Sequence, residues 1–367
     1  MKIVHVVGAR PNFMKVGPVI EEMAKQGDFE QCLVHTGQHY DASLSKVFFQ
    51  ELGLPRPDID LNIGSGSHAE QTGRVMIALE KVLQETDPDL VMVVGDVNST
   101  LAATITAVKL GIKVAHVEAG LRSFDRTMPE EINRLATDAL CDILFTTERS
   151  GNENLLREGV PQERIFFVGN VMIDTLLKFR EQAARSATLA QFQLSAGAYA
   201  VLTMHRPSNV DHPERLRRLL KGLTRVAQDI PVMFPCHPRT SRQLQMMGLG
   251  EEVTQGAGIR LIPPQGYIDF LALISQARFV LTDSGGVQEE TTILHVPCLT
   301  LRDNTERPVT IQMGTNTLVG DSEERICSEV THILAGQGKR GQRPELWDGK
   351  AAARIVEVLQ QVCLHSK

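Results

Sequence analysis

Phe279-Val280-Leu281-Thr282-Asp283-Ser284-Gly285-Gly286-Val287-Gln288-Glu289-Glu290 reads as a short buried strand that ends in a polar, glycine-softened turn and opens a helix. The same order of events recurs along the chain. In the first half, β-branched runs predict strands over 3–7, 31–35, 90–95, 113–117, 143–146 and 165–168. Ser67-His68-Ala69-Glu70 is a capping box, and Val75, Leu79, Val82 and Leu83 follow it at helical spacing. A second helix is expected over 99–110, stopped by Gly111. Residues 171–197 read as a helical, polar connection. The strand pattern then restarts at 199–203, 232–235, 259–262, 279–282 and 297–301, with helices near 213–228, 268–276 and 286–294 between them. A last helix is expected over 350–361, with Ile355, Val358 and Leu359 on one side. Strands alternating with helices imply parallel sheets with crossover connections. The expected fold class is α/β: two Rossmann-like doubly wound domains facing a cleft, one over 1–170 and one over 198–349.

Composition agrees with two cores. The chain has 367 residues, more than one hydrophobic core usually fills. Hydrophobic residues make up 42% and charged residues 22%, which excludes wholesale disorder. One Trp and three Tyr are too few for a stacking platform on single-stranded nucleic acid. A net charge of −6 without a basic block argues against nucleic-acid and anionic-membrane partners. The six cysteines (Cys32, Cys141, Cys236, Cys298, Cys327 and Cys363) form no C-x-x-C, so neither a zinc site nor a disulfide framework is expected. There is no signal-peptide pattern and no apolar run near the ~18 residues that span a bilayer. A cytoplasmic protein is expected.

Open parallel sheets bind ligands just past the carboxyl ends of their strands. The residues there are Gly8-Ala9-Arg10-Pro11, Gly37-Gln38-His39, Asp96, Glu118, His205-Arg206, His237-Pro238-Arg239 and Asp283-Ser284-Gly285-Gly286. Singly, an Asp or Ser at such a place is often only a helix cap. Three His, three Arg and several carboxylates together point to chemistry. In the opening stretch, two glycines let backbone N–H groups approach a ligand, and the helix N-terminus favours an anion. Glu290, one turn in, suits a ribose diol, whose two hydroxyls both donate. G-x-x-x-x-G-K-[ST] does not occur, and no G-x-G-x-x-G directly follows any of the expected strands. His116-x-Glu118 lacks the P-C-x-x-C of a zinc deaminase, and Asp58-x-Asp60 lies in a Pro-flanked loop that reads as a turn. A bound diphosphate would be neutralised by Arg and helix N-termini.

These residues resemble the non-hydrolysing UDP-N-acetylglucosamine 2-epimerases. The resemblance rests on Gly8-Ala9-Arg10-Pro11 with Lys15, Thr36-Gly37-Gln38-His39, Gly95-Asp96 and His116-Val117-Glu118-Ala119-Gly120-Leu121-Arg122. It continues through Pro129-Glu130-Glu131-Ile132-Asn133-Arg134, His205-Arg206, the run from Asp283 to Glu290, and Thr305-Glu306-Arg307-Pro308. It implies the two-Rossmann fold shared with many nucleotide-sugar glycosyltransferases, and a last helix (350–367) that packs back on the first domain. It also implies inversion at C2 of a UDP-N-acetylhexosamine by elimination and re-addition of UDP, through a 2-acetamidoglucal, without metal or NAD. The implied acid–base candidates are Asp96, Glu118, Glu130 and His205, with Glu131 left open as the alternative to its neighbour. The implied UDP contacts are Arg10, Ser284, Gly285, Gly286, Glu290 and Arg307, and the implied sugar or phosphate helpers are Lys15, Arg134 and His237. A homodimer is implied as well.

Some segments depart from the best-known members. Tyr40-Asp41-Ala42-Ser43-Leu44-Ser45-Lys46 replaces their R-E-M-L-D-Q, and His205-Arg206-Pro207-Ser208-Asn209 replaces H-R-R-E-N. Loss of cations around a second UDP-sugar site predicts an enzyme without substrate activation. Competing readings are a variant that hydrolyses the sugar from UDP, a glycosyltransferase of the same fold, and a non-catalytic UDP-sugar sensor. A sensor needs no set of proton donors, and a glycosyltransferase gives no reason for so many.

Overall fold

A strand buried on both faces needs helices above and below it, which a parallel sheet with crossover helices supplies. The computed structural model describes residues 1–37, 53–236, 238–249 and 258–363. In it, β1 (Lys2–Val7), β2 (Glu30–His35), β3 (Ile59–Asp60), β4 (Leu90–Val94), β5 (Lys113–Ala119), β6 (Ile143–Thr146) and β7 (Ile165–Phe167) form one sheet. Every pair is parallel, in the order β3-β2-β1-β4-β5-β6-β7. A second parallel sheet holds β8 (Ala200–Thr203), β9 (Val232–Pro235), β10 (Ile259–Ile262), β11 (Phe279–Thr282), β12 (Cys298–Thr300) and β13 (Asn316–Leu318), in the order β10-β9-β8-β11-β12-β13. Each sheet therefore reverses direction once, between β1 and β4 and between β8 and β11. A crevice for a ligand opens at such a reversal, beyond the carboxyl ends of the strands.

Local chemistry sets the helices between the strands. The helix Arg10–Gln26 starts with Pro11 in its first turn, where a missing N–H costs nothing, and ends on Gly27 at φ 74°. Ser67 caps the helix His68–Thr86 by accepting the Glu70 amide at 3.2 Å, as the capping box predicts. Two strands escape periodicity because they are too short to show it: β3, with two residues, and β13, with three. The first corrects the turn expected at Asp58-x-Asp60. Ile59 and Asp60 pair with Val34 and His35, and the Asp58 carboxylate accepts the Leu33 amide at 2.7 Å.

The chain divides into two compact units, residues 1–178 with 345–367, and residues 179–344. The stretch at 171–197 holds the helices Val171–Ala184 and Thr188–Gln191, and the division falls within the first of them. The C-terminal segment is tied into the first unit. Trp347, fully buried, donates its indole N–H to Thr147 O at 2.8 Å. Asp174 accepts the amides of Ala351 and Ala352 at 3.2 and 2.8 Å, capping the final helix, Ala351–Cys363. Among the described residues no helix is long and apolar enough to cross a membrane.

Candidate functional site

In the N-terminal unit the reversal point is bridged by one side chain. Asn12, in the first turn after β1, accepts the amides of Gly8 and Ala9 at 3.2 and 2.9 Å and donates to Val94 O, at the end of β4, at 2.9 Å. The next residues along β4 are Gly95, at φ 68°, and Asp96. Beside them β5 carries Glu118 at φ 77°, where its pairing with β6 slips between Val117 and Ala119. A bulge of this kind re-aims a side chain at the end of a sheet.

Both carboxylates are held by cations from helices. Lys15 binds Glu118, with both side chains buried, and Arg134 binds Asp96, whose side chain keeps 29% of its exposure. A Cβ on Gly95 would lie 3.2 Å from Lys15 Nζ, a tight contact, at a left-handed backbone angle that favours glycine. Glu130 and Glu131 part company here. Glu131 is buried and its oxygens are occupied: they accept Ser123 N and Oγ, each at 3.0 Å, and Phe124 N at 2.9 Å, and they meet Arg134 at 2.6 Å. Burial alone would raise its pKa, but the Ser123 amide and Arg134 outweigh that and hold it below the usual range. Glu130, half-buried, makes no side-chain hydrogen bond or ion pair among the described residues.

The C-terminal unit carries its own polar cluster around β11. Asp283 is fully buried and accepts His205 N at 3.0 Å, Arg206 N at 2.9 Å and Asn209 Nδ2 at 3.2 Å. Its carboxylate also faces His205 Nδ1 at 3.2 Å. Burial opposes ionisation, yet His205 and these amides bring its pKa down to about 2. The His205 ring, 48% exposed, is thereby fixed at one edge and open to a ligand at the other.

The helix Gly285–Leu294 begins at Ser284, whose side chain does not cap it, so its first N–H groups stay available to an acceptor. Beneath them, a Cβ on Gly285 would come within 2.3 Å of Arg307 Nη1 and 2.8 Å of Glu306 Oε1. Arg307 donates Nε to Glu289 at 2.6 Å and also binds Glu306. Glu306, 1% exposed, further binds Arg302 at 2.7 Å and lies 3.5 Å from Arg206. Three guanidiniums thus share one buried carboxylate next to a helix N-terminus. Glu290 is buried beside Tyr267; burial and the neighbouring Glu289 raise its pKa to about 8, against the pull of Tyr267.

Of the residues singled out from sequence, Lys15 meets Glu118, and Arg134 meets both Asp96 and Glu131, at the strand ends of the first unit, while Glu130 makes no hydrogen bond or ion pair with them. His205, Ser284, Gly285, Gly286, Glu290 and Arg307 meet in the second. The Arg10 side chain, Gln38, His39, residues 40–46 and His237 lie outside the described residues. Sequence reasoning did not single out Asn12, Asp138, Arg302 or Glu306. A signal existed for Glu306, adjacent to Arg307 in the quoted T-E-R-P, but nothing in the sequence places a shared partner for three arginines there.

A family model described as UDP-N-acetylglucosamine 2-epimerase matches residues 21–360. A UDP-N-acetylglucosamine 2-epimerase of Methanocaldococcus jannaschii is 44% identical over 364 residues, covering 98% of this chain and 99% of the relative. The UDP-2,3-diacetamido-2,3-dideoxy-D-glucuronate 2-epimerase of Pseudomonas aeruginosa is 40% identical, covering 99% of this chain and all of the relative. The crystal structure of the M. jannaschii UDP-GlcNAc 2-epimerase in complex with UDP-GlcNAc and UDP superposes with a TM-score of 0.93 at 44% identity, covering 98% of this chain and all of that one.

Proposed function

Because the chain belongs to the UDP-N-acetylglucosamine 2-epimerase family, we propose that its N-terminal unit carries out proton transfer at C2 while its C-terminal unit holds UDP. The chain is an isomerase that inverts C2 of a UDP-N-acetylhexosamine, and UDP-GlcNAc is the substrate we assign. A base takes the C2 proton as the C1–O bond to UDP breaks, the electron pair leaving with UDP and the C1=C2 double bond of 2-acetamidoglucal remaining. UDP oxygen then adds back to C1 while an acid returns a proton to the opposite face of C2. The observation that carries this reading is the pair of carboxylates at the ends of adjacent strands, Asp96 and Glu118, each held by its own cation. Groups so fixed can exchange protons without losing their place. Departing UDP would meet the uncapped helix N-terminus and the arginine cluster, which supply fixed positive charge where negative charge develops.

Incubation with UDP-GlcNAc in D₂O tests the reaction. NMR is expected to show the manno-configured UDP-sugar with deuterium at C2. Retained hydrogen at C2 would exclude proton abstraction there, and accumulation of UDP with free N-acetylmannosamine would select the hydrolysing alternative. We propose that no metal or nicotinamide takes part, since arginines and backbone amides are there to neutralise the diphosphate. Turnover is expected to be unchanged by EDTA, and an absolute need for added Mg²⁺ would refute this. We also propose a homodimer, which light scattering would test against a monomer.

Glu290 supplies a pH prediction. Its free carboxyl holds a proton below about pH 8, whereas accepting both ribose hydroxyls requires the carboxylate. Binding of UDP-GlcNAc to an inactive Glu118→Gln variant should therefore release a proton near pH 7. Affinity should rise by up to about tenfold per unit from pH 6 to 8. Calorimetry in two buffers of different ionisation heat reads the proton directly, and equal heats would remove Glu290 from the ribose.

A further inference from the structure

We propose that Asp138 is a positioning residue that clamps Glu118 in its left-handed conformation from both sides; this rests on the epimerase reading of Glu118. Asp138 lies on the helix Pro129–Leu140 and is buried with His116. One oxygen, Oδ1, meets His116 Nδ1 at 2.6 Å. The other accepts the Gly120 amide at 3.0 Å and Arg122 Nη1 at 2.6 Å. The single carboxylate thus grips the residue two before Glu118 and the residue two after it.

Between these grips the backbone is in a costly state. A non-glycine residue in the left-handed region is costly and persists only where its surroundings over-determine it. Glu118 is such a residue, at the point where β5 slips its register on β6. The clamp supplies the constraint. It reaches further through His116, whose Nε2 donates to Gly95 O at 2.9 Å, immediately before Asp96. One imidazole therefore ties together the backbones that carry Asp96 and Glu118. Burial raises the cost of an ionised Asp138, but His116 and Arg122 outweigh it and keep the group a carboxylate.

A buried ion pair gives weak grounds for stability, because apolar residues of equal volume often serve as well. Here both oxygens are directed at residues flanking one strained, functional position, which stability alone does not require. A misplacement of roughly 1 Å can cost about 10²-fold in rate. Asp138→Asn and His116→Asn are accordingly expected to lose about 10²-fold in kcat and in C2 deuterium uptake from D₂O. KM and UDP affinity should stay within about threefold, because UDP is assigned to the other unit. The discriminating variant is the double Asp138→Asn, Glu118→Gln. If Asp138 acts through Glu118, the second substitution adds almost no loss to the first. Folded single variants with normal kcat, or losses that multiply in the double variant, would overturn the proposal. So would failure of both single variants to fold, which would assign the cluster to folding. Absence of C2 exchange in the wild-type protein would instead refute the epimerase reading, and the clamp with it.

Discussion

Asp96→Asn, Glu118→Gln, Glu130→Gln and His205→Asn are each expected to lose at least ~10²-fold in turnover, the usual scale for removing an acid–base group. The three carboxylate-to-amide changes are nearly isosteric, and the His205 side chain is 48% exposed, so packing survives and the loss falls on kcat. The Asp96 change would leave Arg134 paired with Glu131, and the Glu118 change would take from Lys15 its buried carboxylate, but no new cavity forms. UDP affinity should change little. Glu131→Gln makes the instructive contrast. It leaves two loop amides and a buried guanidinium poorly matched, so it should lower the melting temperature as well as the rate. Glu130→Gln should lower only the rate, since its carboxylate supports no neighbour. Near-normal turnover in all four variants would remove these positions from proton transfer, and a destabilised Glu130→Gln would reverse the assignment within the pair.

Arg307→Gln is expected to produce the opposite signature, a loss of at least ~10²-fold in UDP affinity. Breaking a buried ion pair by removing one partner costs about 3–5 kcal/mol. Here the lost cation leaves Glu289 and Glu306 buried with less compensation, beside the helix N-terminus assigned to the diphosphate. Both effects repel an anion, so they add with one sign. Arg307→Lys should recover little, because an ammonium cannot fork between two carboxylates as the guanidinium does. Gly285→Ala should mimic the loss from the other side by pushing a methyl group into Arg307. Titration with UDP alone reads these variants without turnover, and unaltered affinity in Arg307→Gln would detach the cluster from the nucleotide.

The sequence by itself determined the fold class and the strand-end addresses of the candidate site. Strands such as β4, buried on both faces, write themselves as continuous apolar runs, and the residue that follows such a run must lie at a carboxyl end. Asp96, Glu118, His205 and the Ser284-Gly285-Gly286 turn were legible for that reason alone. What each side chain does there was not legible. Glu130 and Glu131 are neighbours in sequence but project roughly 100° apart on a helix, so only the partners around the helix decide which carboxylate is consumed. The partner of Glu118 is Lys15, that of Asp96 is Arg134, and that of Arg307 is Glu289. Each pair joins elements that parallel topology brings together across many residues of chain. The left-handed backbone of Glu118 was likewise invisible, because it comes from a bulge between two strands and not from its own residue type. Periodicity records burial of a face, whereas ion pairing and backbone strain are set by neighbours distant in the chain, and those the tertiary structure decided.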